Sequence, residues 1–187
     1  MDYLIYAFYD RDGFIDFHVL DSLRRYIKYF KVIFVSNISL SKSEKKKISF
    51  VHHIIVDEHE EKDFGSWKIG INYLKCKKVH NLLLTNDSIV GPYLKIPEMI
   101  NKIKNSKIDF WGISSAGSDK NFHIQSYFLY FRESVIKNVK FKMFFKNIKK
   151  VSSKSMLVEL YEIGLTQMLL AQGFKCETYF LGSKKDI

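Results

Sequence analysis

Short apolar runs alternate with stretches of helical periodicity along this 187-residue chain, and that alternation constrains the fold more than any other feature. Four early runs have the length and composition of buried strands, at residues 3–9, 32–35, 54–56 and 82–85. Between the first two, apolar side chains recur at steps of three and four over residues 17–30, as on one face of a helix. Strands that alternate with helices predict an α/β domain with a mostly parallel central sheet flanked by helices. We expect one such domain over the whole sequence.

The second half of the sequence continues this pattern less regularly. Further strands are predicted at 110–113, 124–131 and 176–181. Ser41 and Glu44 have the spacing of a capping box, which predicts a short basic helix. Ser155 is expected to cap a last helix that turns Leu160 and Leu165 inward.

The net charge does not by itself select a partner. Thirty Lys and Arg residues against twenty Asp and Glu give a formal charge of +10, so the surface can attract nucleic acid, an anionic membrane or a phosphate-bearing substrate. Only four of the thirty are Arg, the residue that most often reads bases and grips phosphate in a bidentate manner. A Lys-rich composition is also what an AT-rich genome encodes. The basic aromatic stretch at 141–150 keeps open a non-catalytic module that binds nucleic acid or an anionic membrane.

The cysteine content and the start of the sequence predict a cytoplasmic protein. Cys76 and Cys176 are too few for a disulfide framework or a four-ligand zinc site, which fits a reducing compartment. The sequence contains no apolar run near the ~20 residues of a membrane span. Asp2 stands where a signal peptide would carry positive charge.

A cluster of polar residues directly follows the strand at 82–85. Asn86, Asp87 and Ser88 would lie at the carboxyl end of that strand, which is where open α/β sheets bind ligands. An amide, a carboxylate and a hydroxyl together can hold a divalent cation, a ribose hydroxyl or a phosphate-bound water. An Asx turn that only ends the strand is the competing explanation.

The segment at 63–68 begins a helix in a way that suits a diphosphate. Small residues there leave backbone N–H groups unpaired beside Lys68, and such groups attract phosphate. Asp63 would repel phosphate, so it is a better candidate for contact with a sugar or nucleoside hydroxyl. The structural alternatives are Asp63 as a helix cap and Trp67 as a core anchor.

Two further pairs of residues carry candidate chemistry. His123 and Gln125 share one face of a predicted strand, where the histidine can orient a substrate or transfer a proton. Glu159 and Glu162 are three residues apart on a predicted helix, and paired carboxylates can leave one of the two poised as a base. A rim histidine and a solvated helix face are the respective alternatives.

Taken together, these motifs resemble those of the rhamnan-synthesis protein F family of bacterial polysaccharide glycosyltransferases. The matching segments, in order, are DFGSWKIGINYL at 63–74, LLLTNDSIVGP at 82–92, DFWGIS at 109–114, HIQSYFLYFRESVI at 123–136 and YEIGLTQMLLAQGF at 161–174. The resemblance runs from about residue 53 to residue 181, which is most of the chain. Each segment is weak alone, and the order and spacing of the five make the match specific.

The resemblance implies a GT-A-like (Rossmann-like) fold and transfer of a sugar from a nucleotide-diphosphate donor to a growing cell-surface polysaccharide or lipid-linked glycan. In that family the sugar is often rhamnose, carried by deoxythymidine diphosphate. Contact with the inner membrane face is compatible with this role, and no specific nucleic-acid partner is expected.

Asn86, Asp87 and Ser88 would then take the place of the Asp-x-Asp motif of GT-A enzymes. Because only one of the three is acidic, a Mg²⁺ or Mn²⁺ ion at Asp87 stays open, although we favour it. Lys68 and a helix N-terminus are the metal-free means of neutralising the leaving diphosphate.

The resemblance also implies a role for each candidate residue. Those that would bind the donor are Phe8, Tyr9, Asp10, Asp63, Trp67, Lys68, Asn86, Asp87 and Ser88. Glu162 would be the general base that takes a proton from the acceptor hydroxyl as it attacks the anomeric carbon, with Glu159 as its substitute. Trp111, His123 and Gln125 would contact the acceptor sugar, the tryptophan by stacking. The implied reaction is a single displacement with inversion.

Overall fold

A seven-stranded sheet lies at the centre of the computed structural model, which describes residues 1–89 and 96–180 apart from the side chain of Lys104. The strands are β1 (Asp2–Phe8), β2 (Lys31–Ser36), β3 (His53–Val56), β4 (Asn81–Asn86), β5 (Phe110–Gly112), β6 (Ser115–Ala116), β7 (His123–Ile124), β8 (Phe128–Arg132) and β9 (Cys176–Thr178). The order in the sheet is β3-β2-β1-β4-β8-β5-β9, and β6 and β7 form a separate ribbon. Only β8 runs against its neighbours among these seven strands, so the predicted mostly parallel sheet is confirmed.

Helices cover both faces of this sheet. They are α1 (Phe17–Tyr26), α2 (Lys42–Lys47), α3 (Lys62–Tyr73), α4 (Ile96–Asn105), α5 (Glu133–Lys137), α6 (Val139–Lys146), α7 (Lys154–Leu157) and α8 (Gly164–Ala171), with a 3₁₀ turn at Asp119–Asn121 and a π-helical segment at Val158–Ile163. Among these elements, no helix is long and apolar enough to cross a membrane.

Successive side chains of β1 point alternately into two cores, one on each side of the sheet. Ile5 and Ala7 face the core that contains Trp67 of α3, whereas Leu4 and Tyr6 face the core on the opposite side of the sheet. Both sides of the strand are therefore removed from water, as expected of a parallel strand between two helical layers.

The predicted strand at 124–131 is wrong in part, because the chain forms two elements there. Ile124 belongs to the β6–β7 ribbon, which folds back over β5 until Ile124 lies against Gly112. A Cβ atom at Gly112 would collide with the Ile124 side chain, so the glycine makes this close approach possible. The chain then turns and enters the sheet as the antiparallel strand β8.

The last helix also differs from its prediction. Ser153 rather than Ser155 caps α7, by accepting a hydrogen bond from the Met156 N–H. Leu160 was expected to face inward but is 47% exposed. The π-helical segment takes more residues per turn than an α-helix, so the 3.6-residue period used for the prediction loses register there.

Two other expectations need qualification. Ser41 caps α2 as predicted, but the Glu44 carboxylate accepts from the Ile15 N–H instead of completing the capping box. The last predicted strand ends at Thr178 in the structure. Leu181 and the Gly91-Pro92 pair lie outside the described residues.

The contact between α3 and β1 leads to a test of the core. A Cβ atom at Gly70 would lie 2.6 Å from Cγ2 of Ile5, which is itself fully buried. Gly70→Ala should therefore lower the free energy of unfolding by about 1–2 kcal/mol, since overpacking outweighs the helical preference for alanine. Urea unfolding measures the change.

Gly164→Ala is the matched control for this substitution. A Cβ atom at this helical glycine meets ordinary van der Waals contacts, the nearest at 3.6 Å. This variant should be as stable as the wild type or up to about 1 kcal/mol more stable. Equal stability of the two alanine variants would contradict the packing described for Gly70.

Candidate active site

The carboxyl ends of β1 and β4 meet at one edge of the sheet. Ala7 pairs with Asn86, so the residues that follow the two strands lie side by side. The Tyr9 N–H donates a hydrogen bond to Oδ2 of Asp87 at 3.0 Å. Asp10 turns the chain just beyond, since its Oδ1 accepts from the Phe14 N–H at 2.8 Å. Phe8 is buried and Tyr9 is exposed, so of the two aromatic rings only that of Tyr9 is accessible at this edge.

A second connection joins the end of β4 to the beginning of α3. The Asn86 amide donates from Nδ2 to Oδ2 of Asp63 at 2.7 Å, and the Ser88 hydroxyl donates to Oδ1 of Asn86 at 2.7 Å. Asp63 is distant in sequence from Asn86 and Ser88, yet these hydrogen bonds join the three; together with Asp87 they are here called the strand-tip cluster. Asn86, at the centre of the cluster, is 4% exposed.

The two aspartates of the strand-tip cluster lie in a poorly solvated environment. Burial raises the pKa of Asp87 to about 6, and the charge of Asp63 acts in the same direction. Burial also raises the pKa of Asp63, although the hydrogen bond from Asn86 opposes that effect. Neither carboxylate is neutralised by a lysine or arginine salt bridge among those described. Groups of this kind mark functional sites because their charge is costly without a ligand.

Glu162 approaches this cluster from the π-helical segment. Its negative charge contributes to the raised pKa of Asp63, so the two carboxylates are within electrostatic reach of each other. Its Oε2 atom is 3.8 Å from Nε2 of His123, whose Nδ1 is 2.8 Å from the Asn121 carbonyl oxygen. Glu159 is exposed, so the structure separates the two glutamates that the sequence treats as a pair.

The β6–β7 ribbon holds His123 against the last helix. The Ile124 N–H donates to Oγ1 of Thr166, and Gln167 donates from Nε2 to the Phe122 carbonyl oxygen at 2.7 Å. These bonds anchor both neighbours of His123. The imidazole is consequently buried beside Glu162 and is not an exposed rim residue.

Four residues that were predicted to contact a ligand have protein partners in the structure. Trp67 is fully buried and donates from Nε1 to the Thr85 carbonyl oxygen, which matches the core-anchor alternative. Lys68 donates from Nζ to the Ile148 carbonyl oxygen at 2.9 Å and lies 3.6 Å from a Glu61 carboxylate oxygen, so its ammonium group already has two protein partners.

Trp111 and Gln125 both have protein partners. The Trp111 ring is 1% exposed and makes edge contacts with the rings of Phe128 and Tyr179, so it offers no stacking face to a sugar. Gln125 accepts a hydrogen bond from the Ser114 hydroxyl through Oε1. That bond uses only the amide oxygen of Gln125, so the two N–H donors of the same amide do not take part in it and can bind a ligand.

His18 and Asp16 lie beside Asp87 and are not among the residues predicted from the sequence. Nε2 of His18 lies 3.1 Å from the Asp87 carbonyl oxygen, and its Nδ1 lies 2.7 Å from Oδ2 of Asp16. Asp16 also caps α1 by accepting from the Val19 N–H. The only sequence signal is an Asp-x-His group at a helix start after a polar loop, and nothing local links it to residue 87.

The described residues do not form a cation site of their own. Within them, no three His, Cys, Asp or Glu side chains come together as metal ligands. Oδ2 of Asp87 already accepts from Tyr9, and Oδ2 of Asp63 accepts from Asn86. The donor set therefore fits an ion only if a bound molecule, such as a diphosphate, supplies further oxygen ligands.

A protein family and a curated protein match this chain in sequence. The family described as "Rhamnan synthesis protein F" matches residues 32–187. An uncharacterized protein of Sinorhizobium fredii, y4gN, is 29% identical over 149 residues, which are 76% of this chain and 39% of that protein. The chain thus spans about two fifths of the length of this curated relative.

Solved structures share the fold at low identity. A CMP:2-keto-3-deoxy-manno-octonic acid synthetase complexed with CTP is similar with a TM-score of 0.55 and 10% identity, covering 97% of this chain and 89% of that one. A 4-diphosphocytidyl-2C-methyl-D-erythritol synthase from Anaerococcus prevotii gives 0.52 and 15%, covering 100% and 91%. A putative nucleotide-diphospho-sugar transferase from Desulfovibrio desulfuricans gives 0.51 and 9%, covering 97% and 80%. These similarities confirm the predicted fold class.

The environment of Asp87 leads to a pH-dependent stability. A carboxyl group whose pKa is raised from 3.8 to about 6 on folding stabilises the protein below pH ~4, and this contribution is lost as pH rises through about 6. Asp87→Asn keeps the shape without the charge. It should be about as stable as the wild type near pH 4 and more stable by about 1–2 kcal/mol near pH 7, as measured by urea unfolding.

Asp12→Asn is the control, because Asp12 is an exposed aspartate in the same edge of the molecule. Its stability relative to the wild type should change little between the two pH values. If the wild type and Asp87→Asn differ in free energy of unfolding by the same amount at both pH values, that result would contradict the buried position of the Asp87 carboxylate.

Proposed function

The chain belongs to the rhamnan synthesis protein F family, and from that premise we propose that it is a glycosyltransferase acting on a nucleotide-diphosphate sugar. The observation that carries the proposal is a chain of acidic groups where β4 ends: the charge of Asp63 raises the pKa of Asp87, and the charge of Glu162 raises the pKa of Asp63. A module that only bound a polyanion would gain nothing from buried carboxylates at that position. The fold, shared with a putative nucleotide-diphospho-sugar transferase, supports the same conclusion.

The donor binds at the strand-tip cluster in this proposal. The exposed ring of Tyr9 contacts the nucleotide base, while Asp63 and Asp87 accept hydrogen bonds from sugar or ribose hydroxyls. Ser88 is exposed next to them. Trp67 acts from within the core, because its bond to the Thr85 carbonyl fixes the strand that delivers the cluster.

Glu162 is the general base of the proposed reaction. It takes the proton of the acceptor hydroxyl, the acceptor oxygen bonds to the anomeric carbon, and the bond from that carbon to the diphosphate oxygen breaks. The carbon is inverted and the nucleoside diphosphate leaves with the bonding electrons. His123 faces Glu162 at 3.8 Å and can orient the carboxylate or the acceptor sugar. Gln125 donates to the acceptor from its amide group.

Because the family description names rhamnan synthesis, we propose rhamnose as the transferred sugar and a growing or lipid-linked cell-surface glycan as the acceptor. A Mg²⁺ or Mn²⁺ ion would be held by Asp87 together with the donor's diphosphate, and it would neutralise charge on the leaving group. The thermal-shift screen that tests the activity also tests the sugar and the metal ion.

A thermal-shift screen with nucleotide sugars tests the proposal directly. Nucleotide-diphosphate sugars, with and without Mg²⁺ or Mn²⁺, should raise the Tm by about 3–6 °C at ten times Kd, since a ligand specific for the folded state stabilises it by mass action. Asp87→Ala should abolish the shift and the transfer of sugar while leaving the fold intact. CTP is the comparison ligand, because structural neighbours with this fold include a CTP complex. A shift with CTP and none with any nucleotide sugar would overturn the proposal.

The two glutamates of the π-helical segment form a matched pair for the base. Glu162→Gln should reduce kcat by about 10²–10⁴-fold with little change in the affinity for the donor, because only proton transfer is lost. Glu159→Gln removes the same charge from an exposed position and should leave kcat within about twofold. Steady-state and binding measurements separate the two effects, and equal losses in the two variants would remove Glu162 from this role.

A further inference from the structure

A groove of about 640 Å³ lies at the other end of β4 from the strand-tip cluster. Leu82 lines it near the amino end of the strand, whereas Asn86 ends the same strand at the candidate site. At about 3.3 Å per residue, the two sites are separated by roughly 13 Å along the strand. Its apolar lining consists of Ile71, Leu74, Val79, Leu82, Ile136 and Phe141.

Five lysines surround this apolar lining. They are Lys75, Lys77, Lys78, Lys137 and Lys142, and all five are exposed. Glu133 is the one acidic residue of the lining, and it forms an ion pair with Lys137 at 2.6 Å. Five ammonium groups against one carboxylate leave the rim strongly positive. An apolar floor with a cationic rim is complementary to an anionic amphiphile.

The outer face of α6 extends this surface. Val139 is 67% exposed and Met143 is 50% exposed, and their spacing of four residues puts them on one side of the helix. Lys140 and Lys146 are exposed on the same short helix. Apolar side chains that alternate with lysines in this way are typical of a surface that rests in the interface of a bilayer.

We propose that the lysine-rimmed groove and the outer face of α6 dock onto an anionic phospholipid bilayer. An acyl chain enters the apolar groove, and the lysines contact the phosphates of the head groups around it. This docking surface lies apart from the candidate active site and does not depend on the proposed reaction.

The lining of the groove favours a lipid over a nucleic acid. Bases are bound by stacking on accessible aromatic rings and by arginine, but the ring of Phe141 is fully buried. No arginine belongs to the residues that line the described groove. Lysines near an anionic bilayer need no fixed geometry, since they act mainly through their charge.

Sedimentation with vesicles tests the docking surface using the full chain. Binding should be at least about tenfold stronger to phosphatidylcholine vesicles that contain about 30% phosphatidylglycerol than to phosphatidylcholine alone. Raising the salt from about 0.1 M to about 1 M, which shortens the Debye length from ~10 Å to ~3 Å, should remove most of that preference.

Two triple variants with the same change of charge locate the surface. Lys75→Glu, Lys78→Glu and Lys142→Glu together should weaken vesicle binding by about tenfold or more. Lys42→Glu, Lys45→Glu and Lys46→Glu on α2 are the matched control and should retain most of the binding. Equal losses in both variants would mean that net charge alone acts, which would overturn the proposed location. An oligonucleotide that binds more tightly than the vesicles and competes with them would overturn the choice of ligand.

Cys76 gives a second readout that net charge does not move. It is an exposed thiol between Lys75 and Lys77, whereas burial raises the pKa of the Cys176 thiol to about 11 and makes it a poor nucleophile. A polarity-sensitive fluorophore on Cys76 should shift to shorter wavelength on anionic vesicles and remain unshifted with a soluble polyanion. Vesicle binding without that shift would place the contact elsewhere on the protein. Sugar transfer from a soluble acceptor should be unchanged in the lysine variants, so failure of the docking proposal and failure of the proposed reaction are distinguishable.

Discussion

The hydrogen bond from Asn86 to Asp63 connects the central strand of the sheet to the helix that packs across it. β4 lies between β1 and β8, and α3 packs against β1 and β2, so this bond joins two layers at the edge where the parallel strands end. Asp63 accepts this bond at a position where burial raises its pKa. The amide recovers part of the desolvation cost of Asp63, and the bond from Tyr9 does the same for Asp87. The site is thus held by the same contacts that assemble the fold.

Much of this fold could be predicted because its strands are buried on both faces and read as apolar runs. The runs at 32–35 and 82–85 lie within β2 and β4, and the polar residues after β4 lie at the expected edge. Asp63, Asp87 and Glu162 could be proposed together only through the resemblance to a family, since their proximity depends on contacts between distant segments. The sequence pattern alone indicates which residues end a strand, and it does not indicate which strand ends are neighbours.

What could not be predicted has physical causes that single-sequence patterns do not contain. The burial of Trp111 depends on the side of β5 that faces the core with Phe128, and on the ring of Tyr179, which comes from a distant part of the sequence. Lys68 has the right position beside a helix N-terminus, yet a carbonyl oxygen 80 residues away accepts its hydrogen bond. His18 contacts Asp87 across 69 residues of sequence. In each of these cases a tertiary partner determines what the side chain can do.

The π-helical segment ties the position of Glu162 to the number of residues in the helix. Between Lys154 and Ala171 the chain winds as a helix throughout, with the wider π turns at Val158–Ile163. Each residue of an α-helix advances the rotation by about 100°, so removal of one residue from the wider turns would return them to α-helical winding and swing Glu162 away from Asp63 by about that angle. In the proposed reaction, the number of residues in this segment therefore matters as much as the identity of residue 162.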